Sequence, residues 1–274
     1  MTTQALITVA QDAEKTRRRL RKLPWRGLVT VLVVLVLWQL ASVTGVLPAS
    51  TLPSVSDIGS AFVGLLGQAV FWGAVGQTLV STFTGLGIVI VIAVPLSLVL
   101  GLSKVAHESS WLVVEFLKPI PPVAMIPLGL LLWGPSETMK VTLIAFGALW
   151  PFLTQLIYGI RQVDHVAIQM SLSYRLGVWL TTTRVILPSL LPFAATGLRV
   201  SASIAIIISV VTELIGGAAG LGRQITIAQS SGNIPAMYAL IFTTGLLGLL
   251  INWLFLVIQK PLLFWHASQR SVVS

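Results

Sequence analysis

Six apolar runs, near residues 28–47, 77–101, 111–133, 139–160, 192–215 and 236–259, decide what this 274-residue chain folds into. Each is close to the roughly 20 residues that cross a hydrocarbon core as a helix, the one single-segment structure that satisfies every backbone polar group without water. The pattern predicts an all-α integral membrane protein with about six transmembrane helices. Composition agrees: 55% of the residues are hydrophobic and 9% are charged, against about 25% charged in a soluble domain, which excludes a soluble enzyme. Nine Trp against three Tyr supply interfacial anchors.

The formal charge of +9 is concentrated where topology, not nucleic acid, requires it. Lys15, Arg17, Arg18, Arg19, Arg21, Lys22 and Arg26 all precede the first run. With them inside, Lys104, Arg161, Arg175, Arg184, Lys260 and Arg270 also fall on the cytoplasmic side, and only Lys140 and Arg223 on the external side. Lys and Arg in short loops decide orientation, so both termini are expected to be cytoplasmic. The basic N-terminus resembles a signal peptide's charged region. The run behind it is as long as a spanning helix and has no small-residue cleavage site, so the segment is expected to be retained. The absence of cysteine excludes a disulfide framework, thiol catalysis and cysteine metal sites. His107, His165 and His266 lack ligand spacing, so no metal site is expected.

The main external connection, 48–74, contains no Lys or Arg. Pro48 and Pro53 break the first helix, and Ser56 or Asp57 is expected to cap an amphipathic helix at the membrane surface. The last external connection, GGAAGLGRQITIAQSSGNIP (216–235), reads as an adaptable or mobile segment. Its glycines are not a dinucleotide-binding motif, because no strand precedes them and no βαβ unit follows. These features divide the chain into a basic tail (1–26), a first transmembrane helix with its external connection (27–69), a core (70–262) and a C-terminal tail (263–274).

The connection Arg161–Leu191, RQVDHVAIQMSLSYRLGVWLTTTRVILPSLL, is long enough to hold a helix of its own, with Asp164 as N-cap and Gly177 near its C-terminal end. Ile168, Leu172 and Leu176 form one apolar stripe and Val166, Met170 and Tyr174 a second. Gln169 and Ser173 separate them on one side, Ser171 and Arg175 on the other. Two stripes fit a helix held between its own membrane domain and a cytoplasmic partner. An interfacial helix lying on lipid fits them equally.

This stretch resembles the EAA loop of ABC importer permeases, in which EAA, three residues and a Gly precede a hydrophobic stretch ending in Leu-Pro. Anchored on Leu187-Pro188, the triplet falls on Gln169, Met170 and Ser171 and the glycine on Arg175, while Trp179, Arg184 and Val185 match common family choices. FLKPIPPVAMIPLGLLLWG (116–134), FGALWPFLTQLIYGIRQVD (146–164), LPSLLPFAATGLRVSAS (187–203) and VVTELIGGAAGLG (210–222) look like the sulfonate, nitrate and taurine branch, and the resemblance spans roughly 70–262. It implies the type I ABC importer (MetI-like) permease fold in a bacterial inner membrane. The implied partners are a second permease copy in a homodimer, two ABC ATPase subunits, an external substrate-binding protein and membrane lipid, with no nucleic acid. ATPase coupling would fall to Asp164, Ile168, Gln169, Leu172, Ser173, Arg175, Leu176 and Gly177. An Arg in place of Gly at 175 loses easy access to positive φ, so the turn is expected to shift toward Gly177.

No Gly-Lys dipeptide occurs, hence no Walker A loop. This chain is therefore expected to be no enzyme and to bind no cofactor, with ATP and Mg on the ATPase subunits. Pro119, Pro121, Pro122 and Pro127 interrupt the third run, as a moving part or as a static kink; Pro121 and Pro122 are assigned to the translocation pathway or gate. Charges within the runs must face the interior or an interface. Glu115 and Lys118 are spaced to pair structurally. Arg199, with Ser203 beside it, either meets an anionic solute or braces the bundle, and Glu213 joins the pathway group. About 21 Å of helix separates Arg199 from Glu213, which excludes a direct pair. Gly85 and Gly87 in the second run, and Gly245 and Gly248 in the sixth, read as close-packing faces. The alternatives are an integral-membrane enzyme, for which the eight acidic residues form no cluster, and a self-sufficient secondary transporter, for which no internal symmetry is found.

Overall fold

The computed structural model describes residues 24–45, 48 and 51–263, and all regular structure among them is helical. Expectations for most of the basic N-terminal tail and for the C-terminal tail lie outside the described residues. The chain divides into two compact units between Val63 and Gly64, rather than at 69–70. The shift has a packing reason: Leu65 already belongs with the apolar cluster of Phe71, Val75, Leu221 and Leu240.

The first unit holds α1 (Pro24–Val43) and most of α2 (Val55–Leu66). The indole N–H of Trp38 donates to the Pro53 carbonyl (3.1 Å), Ser42 donates to the Leu52 carbonyl (3.0 Å), and the Val55 N–H donates to Gln39 Oε1 (2.8 Å). These bonds return the extended connection along α1. The cap of α2 is Ser54, not Ser56 or Asp57: the Asp57 N–H donates to Ser54 Oγ (3.1 Å) and Ser54 Oγ donates back to the Asp57 carboxylate (2.6 Å). Asp57 thus takes the third helical position of a reciprocal capping arrangement.

The second unit is built on α3 (Ala69–Leu102), α6 (Glu137–Arg161) and α9 (Leu187–Gly216). Glycines set how closely these helices approach. A Cβ at Gly85 would lie 2.4 Å from Ile144 Cγ2, and one at Gly101 2.8 Å from Ile160 Cδ1, so α3 and α6 run parallel in contact. Gly159 meets Leu190 and Phe193, whereas Gly147 meets Ile208, which makes α6 and α9 antiparallel. Small residues at such crossings give the close backbone packing that drives helix association in lipid. Gly87, Gly245 and Gly248 take no part, since a Cβ there would meet nothing within 4 Å of this chain.

Between α3 and α6 the expected single third span is two helices, α4 (Lys104–Leu117) and α5 (Ile126–Trp133), joined through a 3₁₀ turn at Pro122–Met125. Ser103 caps α4 by accepting from the Ala106 N–H (3.2 Å). Beyond Leu117 the ladder fails where Pro119, Pro121 and Pro122 supply no N–H, and the segments on either side are bent by 76°. Gly134, with φ of 62°, ends α5, and Ser136 caps α6 through the Met139 N–H (3.3 Å).

After α6 come α7 (His165–Ser173), a short α8 (Val178–Thr181) and a π turn (Thr182–Ile186) that runs into α9. Gly217, with φ of 70°, terminates α9. The 216–235 connection, expected to be mobile, contains α10 (Leu221–Ser230), whose Leu221, Gly222, Ile225 and Ala228 are buried. Asn233 then caps α11 (Ile234–Leu262), accepting from the Ala236 N–H (3.2 Å). Four helical stretches among the described residues, α3, α6, the one containing α9, and α11, are long and apolar enough to cross a membrane, and the bent pair α4 with α5 passes the same test of length and composition when the two are taken together.

Candidate functional site

Helix α7 starts where the sequence places it: the Val166 N–H donates to Asp164 Oδ1 (2.9 Å). Its inner face is Ala167, Ile168 and Ser171, with Ile168 packed on the core and Ser171 buried. Leu172, expected beside Ile168 and Leu176, instead points outward, while Leu176 is half-buried. Val166, Met170, Leu172, Tyr174, Val178 and Trp179 are each more than half exposed, and Gln169, Ser173, Arg175 and Gly177 are exposed with them. The result is an exposed face over α7 and α8 in which these apolar side chains are interleaved with Gln169, Ser173 and Arg175, where the sequence predicts two narrow stripes.

The turn after α7 does not move to Gly177. Arg175 itself takes φ of 50°, the only positive φ at a non-glycine among the described residues, whereas Gly177 is extended. The Leu176 N–H donates to the Ser171 carbonyl and the Arg175 N–H to the Leu172 carbonyl, both at 2.9 Å, which is a Schellman closure with Arg175 at the position glycine prefers. An L-residue there carries a left-handed cost of about 1–2 kcal/mol. Arg175→Gly is therefore expected to raise the stability of the loop by about 1 kcal/mol with the turn unchanged. Slower amide exchange at Leu176 would register it, and faster exchange would show that the guanidinium supports the turn.

Of the residues assigned to the pathway, Pro121 is exposed and Pro122 half-buried against Gly147 of α6, where a Cβ would lie 2.4 Å from the proline ring. Arg199 and Ser203 lie on α9, along a cleft facing α11 that opens into cavities of about 480 and 470 Å³. Asn252 of α11 lines both cavities. A polar Asn within the apolar LLINWLF is its signal in the sequence.

Glu213 does not border either cavity. Its side chain is fully buried, as is that of Lys140, which the sequence reading placed in an external segment. Lys140 Nζ lies 3.2 Å from Glu213 Oε1 and 3.1 Å from Glu137 Oε2, and it donates to the Ala219 carbonyl at 2.7 Å. These three partners match its three N–H donors. Around the Glu213 carboxylate, Thr78 Oγ1 approaches to 2.9 Å, Ser209 Oγ to 3.3 Å and the Gly222 N–H to 3.0 Å. The Leu221 N–H completes the network by donating to Thr78 Oγ1 (3.0 Å). A Cβ at Gly220 would sit 2.1 Å from the Glu213 carboxylate, so the glycines of GGAAGLG let the chain fold over that charge. The network ties α3, α6 and α9 to the start of α10 as a buried brace.

The other intramembrane pair is as expected: Lys118 Nζ lies 3.1 Å from Glu115 Oε1. No group of three or more His, Cys, Asp or Glu able to hold a metal ion occurs among the described residues.

Comparison with known proteins bears directly on this arrangement. The family model described as "binding-protein-dependent transport system inner membrane component" matches residues 93–262, more than half the chain. The aliphatic sulfonates transport permease protein of Bacillus subtilis strain 168 is 27% identical over 260 residues, 94% of each chain. The taurine transport system permease protein of Escherichia coli K12 is 25% identical over 265 residues, 90% of this chain and 95% of that one. Among solved structures, the MetNI methionine ABC transporter in an inward-facing conformation superposes with a TM-score of 0.61 at 20% identity, over 70% of this chain and 96% of that one. The structural likeness extends the methionine permease fold to these helices, and the family match names their class: the chain is a multi-pass membrane protein that belongs to the inner membrane components of binding-protein-dependent transport systems, the ABC importer permeases.

Proposed function

We propose that this chain forms, as a homodimer, the membrane pathway of an ATP-driven importer for a small anionic solute. α1 joins the five crossings as a sixth, and both termini are cytoplasmic. A binding protein delivers the solute at the outer face, and two ATPase subunits holding ATP and Mg dock on the inner one. The observation that carries the reading is the apolar surface of α7 and α8. It lies on the connection between α6 and α9, too exposed to belong to the core and too firmly held, through Asp164, Ile168 and the Arg175 turn, to be a passive linker. A rigid lever joined to two packed helices is what alternating access between outward and inward states requires.

The α4–α5 break at Pro121 and Pro122, with Arg199 and Ser203 on α9, supports the pathway. Proline interruptions and intramembrane charge are the usual markers of transport routes. Relatives named for aliphatic sulfonates and taurine support an anionic sulfur-containing solute. Proteoliposomes carrying this chain, its ATPase and its binding protein are expected to accumulate a short sulfonate only when all three and ATP are present. Uptake by this chain alone, driven by an ion gradient, would instead establish a secondary transporter.

A further inference from the structure

We infer that Arg199, Ser203 and Asn252 form a station for the oxyanion head of the transported solute, within the membrane in the cleft between α9 and α11. The inference rests on the importer reading above. It starts from a charge that the chain leaves uncompensated. A guanidinium inside the bilayer requires a counter-charge or water. Arg199 has no side-chain partner among the described residues.

The described carboxylates within the spanning helices are few. Glu115 is held by Lys118, and Glu213 and Glu137 by Lys140. Asp57, Glu108 and Asp164 sit at or near helix N-termini, in α2, α4 and α7. A second copy of the chain brings the same set, so it offers no unclaimed carboxylate at the depth of Arg199. The partners left are water in the cleft and an anion that displaces it on passing through.

The surroundings suit such an anion. Arg199 is about 18 Å along α9 from Leu187, and Asn252 about 15 Å along α11 from Leu262, so the two sit at similar depth in antiparallel helices. Both line one cavity with Ser203, which also faces the neighbouring cavity of about 480 Å³. Gly245 and Gly248 border that cavity with open space where side chains would stand, which leaves room for a solute against the backbone. The planar guanidinium donates two parallel hydrogen bonds to an oxyanion, and an amide N–H and a hydroxyl reach the remaining oxygens. The apolar wall of Ile206, Ile207 and Val210 accommodates a short alkyl tail.

Equilibrium binding of ethanesulfonate, sulfate and nitrate to the purified full chain in phosphatidylcholine nanodiscs tests the station. It is measured beside ATP hydrolysis stimulated by the liganded binding protein in the assembled importer. At least one of the three anions is expected to bind, at least tenfold more weakly to Arg199→Gln and severalfold more weakly to Asn252→Ala, with Arg199→Lys recovering part of the loss. In the assembled importer, Arg199→Gln is expected to lose at least tenfold in uptake per ATP hydrolysed. If no anion binds, or if Arg199→Gln binds as the wild type does, the station is overturned. It is equally overturned if adding phosphatidylglycerol to the nanodiscs abolishes binding of all three anions, which would assign the cleft to a lipid headgroup. Absence of stimulated hydrolysis in the wild-type assembly would defeat the importer reading instead, whatever the binding result.

Discussion

Lys140→Met is expected to destabilise the protein by about 3–5 kcal/mol, the cost of leaving one member of a buried ion pair without the other. In detergent the thermal unfolding midpoint should fall by about 10 °C. The wild-type geometry explains the size: Glu213 is fully buried, and Lys140 is the cation that faces its carboxylate. The remaining donors, Thr78, Ser209 and the Gly222 N–H, are neutral. Removing the ammonium also frees the Ala219 carbonyl and Glu137. Glu213→Gln in the Lys140→Met background removes the stranded charge while its amide oxygen still accepts from Gly222, so at least half of the lost stability should return. That non-additivity, measured as a double-mutant cycle, identifies the pair as the cause. Equal and additive losses from the two single variants would mean that packing volume matters here, not charge.

The placement of the apolar helices was legible because hydrophobic length is a strong signal in lipid, where little else competes with it. So was the proline interruption, since a missing N–H acts locally. Pairing across helices left no such trace. Lys140 is three residues into α6 and was counted by sequence proximity to a loop, yet its Nζ reaches Glu213, 73 positions away, which only packing reveals. The Gly-rich 216–235 stretch reads as loose for the same reason: Gly220 and Gly222 pack against Glu213 and Gly216 against Met139, contacts that sequence spacing does not show. At Arg175 a local rule failed in the opposite direction, because the backbone bonds of the turn outweigh the residue's own preference. Counting in fours puts Leu172 on the stripe of Ile168, but four residues turn a helix about 40° past a full turn, and the inward face runs through Ala167, Ile168 and Ser171, which leaves Leu172 at its outer edge.

The second large effect concerns that same residue. Leu172→Glu is expected to lower ATP hydrolysis stimulated by the liganded binding protein at least tenfold, while membrane insertion and thermal stability stay as in the wild type. Stability should hold because Leu172 is two-thirds exposed in the chain by itself, and exposed substitutions typically shift stability by less than about 0.5 kcal/mol. Function should not hold if an ATPase subunit covers the side chain. A carboxylate buried at the centre of an apolar interface without a partner costs several kcal/mol, and each 1.4 kcal/mol is tenfold in association. Ile168→Glu supplies the contrast: Ile168 packs on the core, so the same charge there should lower the unfolding midpoint as well. A loss of stimulated hydrolysis in both variants, with instability in the second alone, separates the outward face of α7 from its inward one. Normal hydrolysis with Leu172→Glu would move the ATPase contact off this face and leave the exposed surface to lipid.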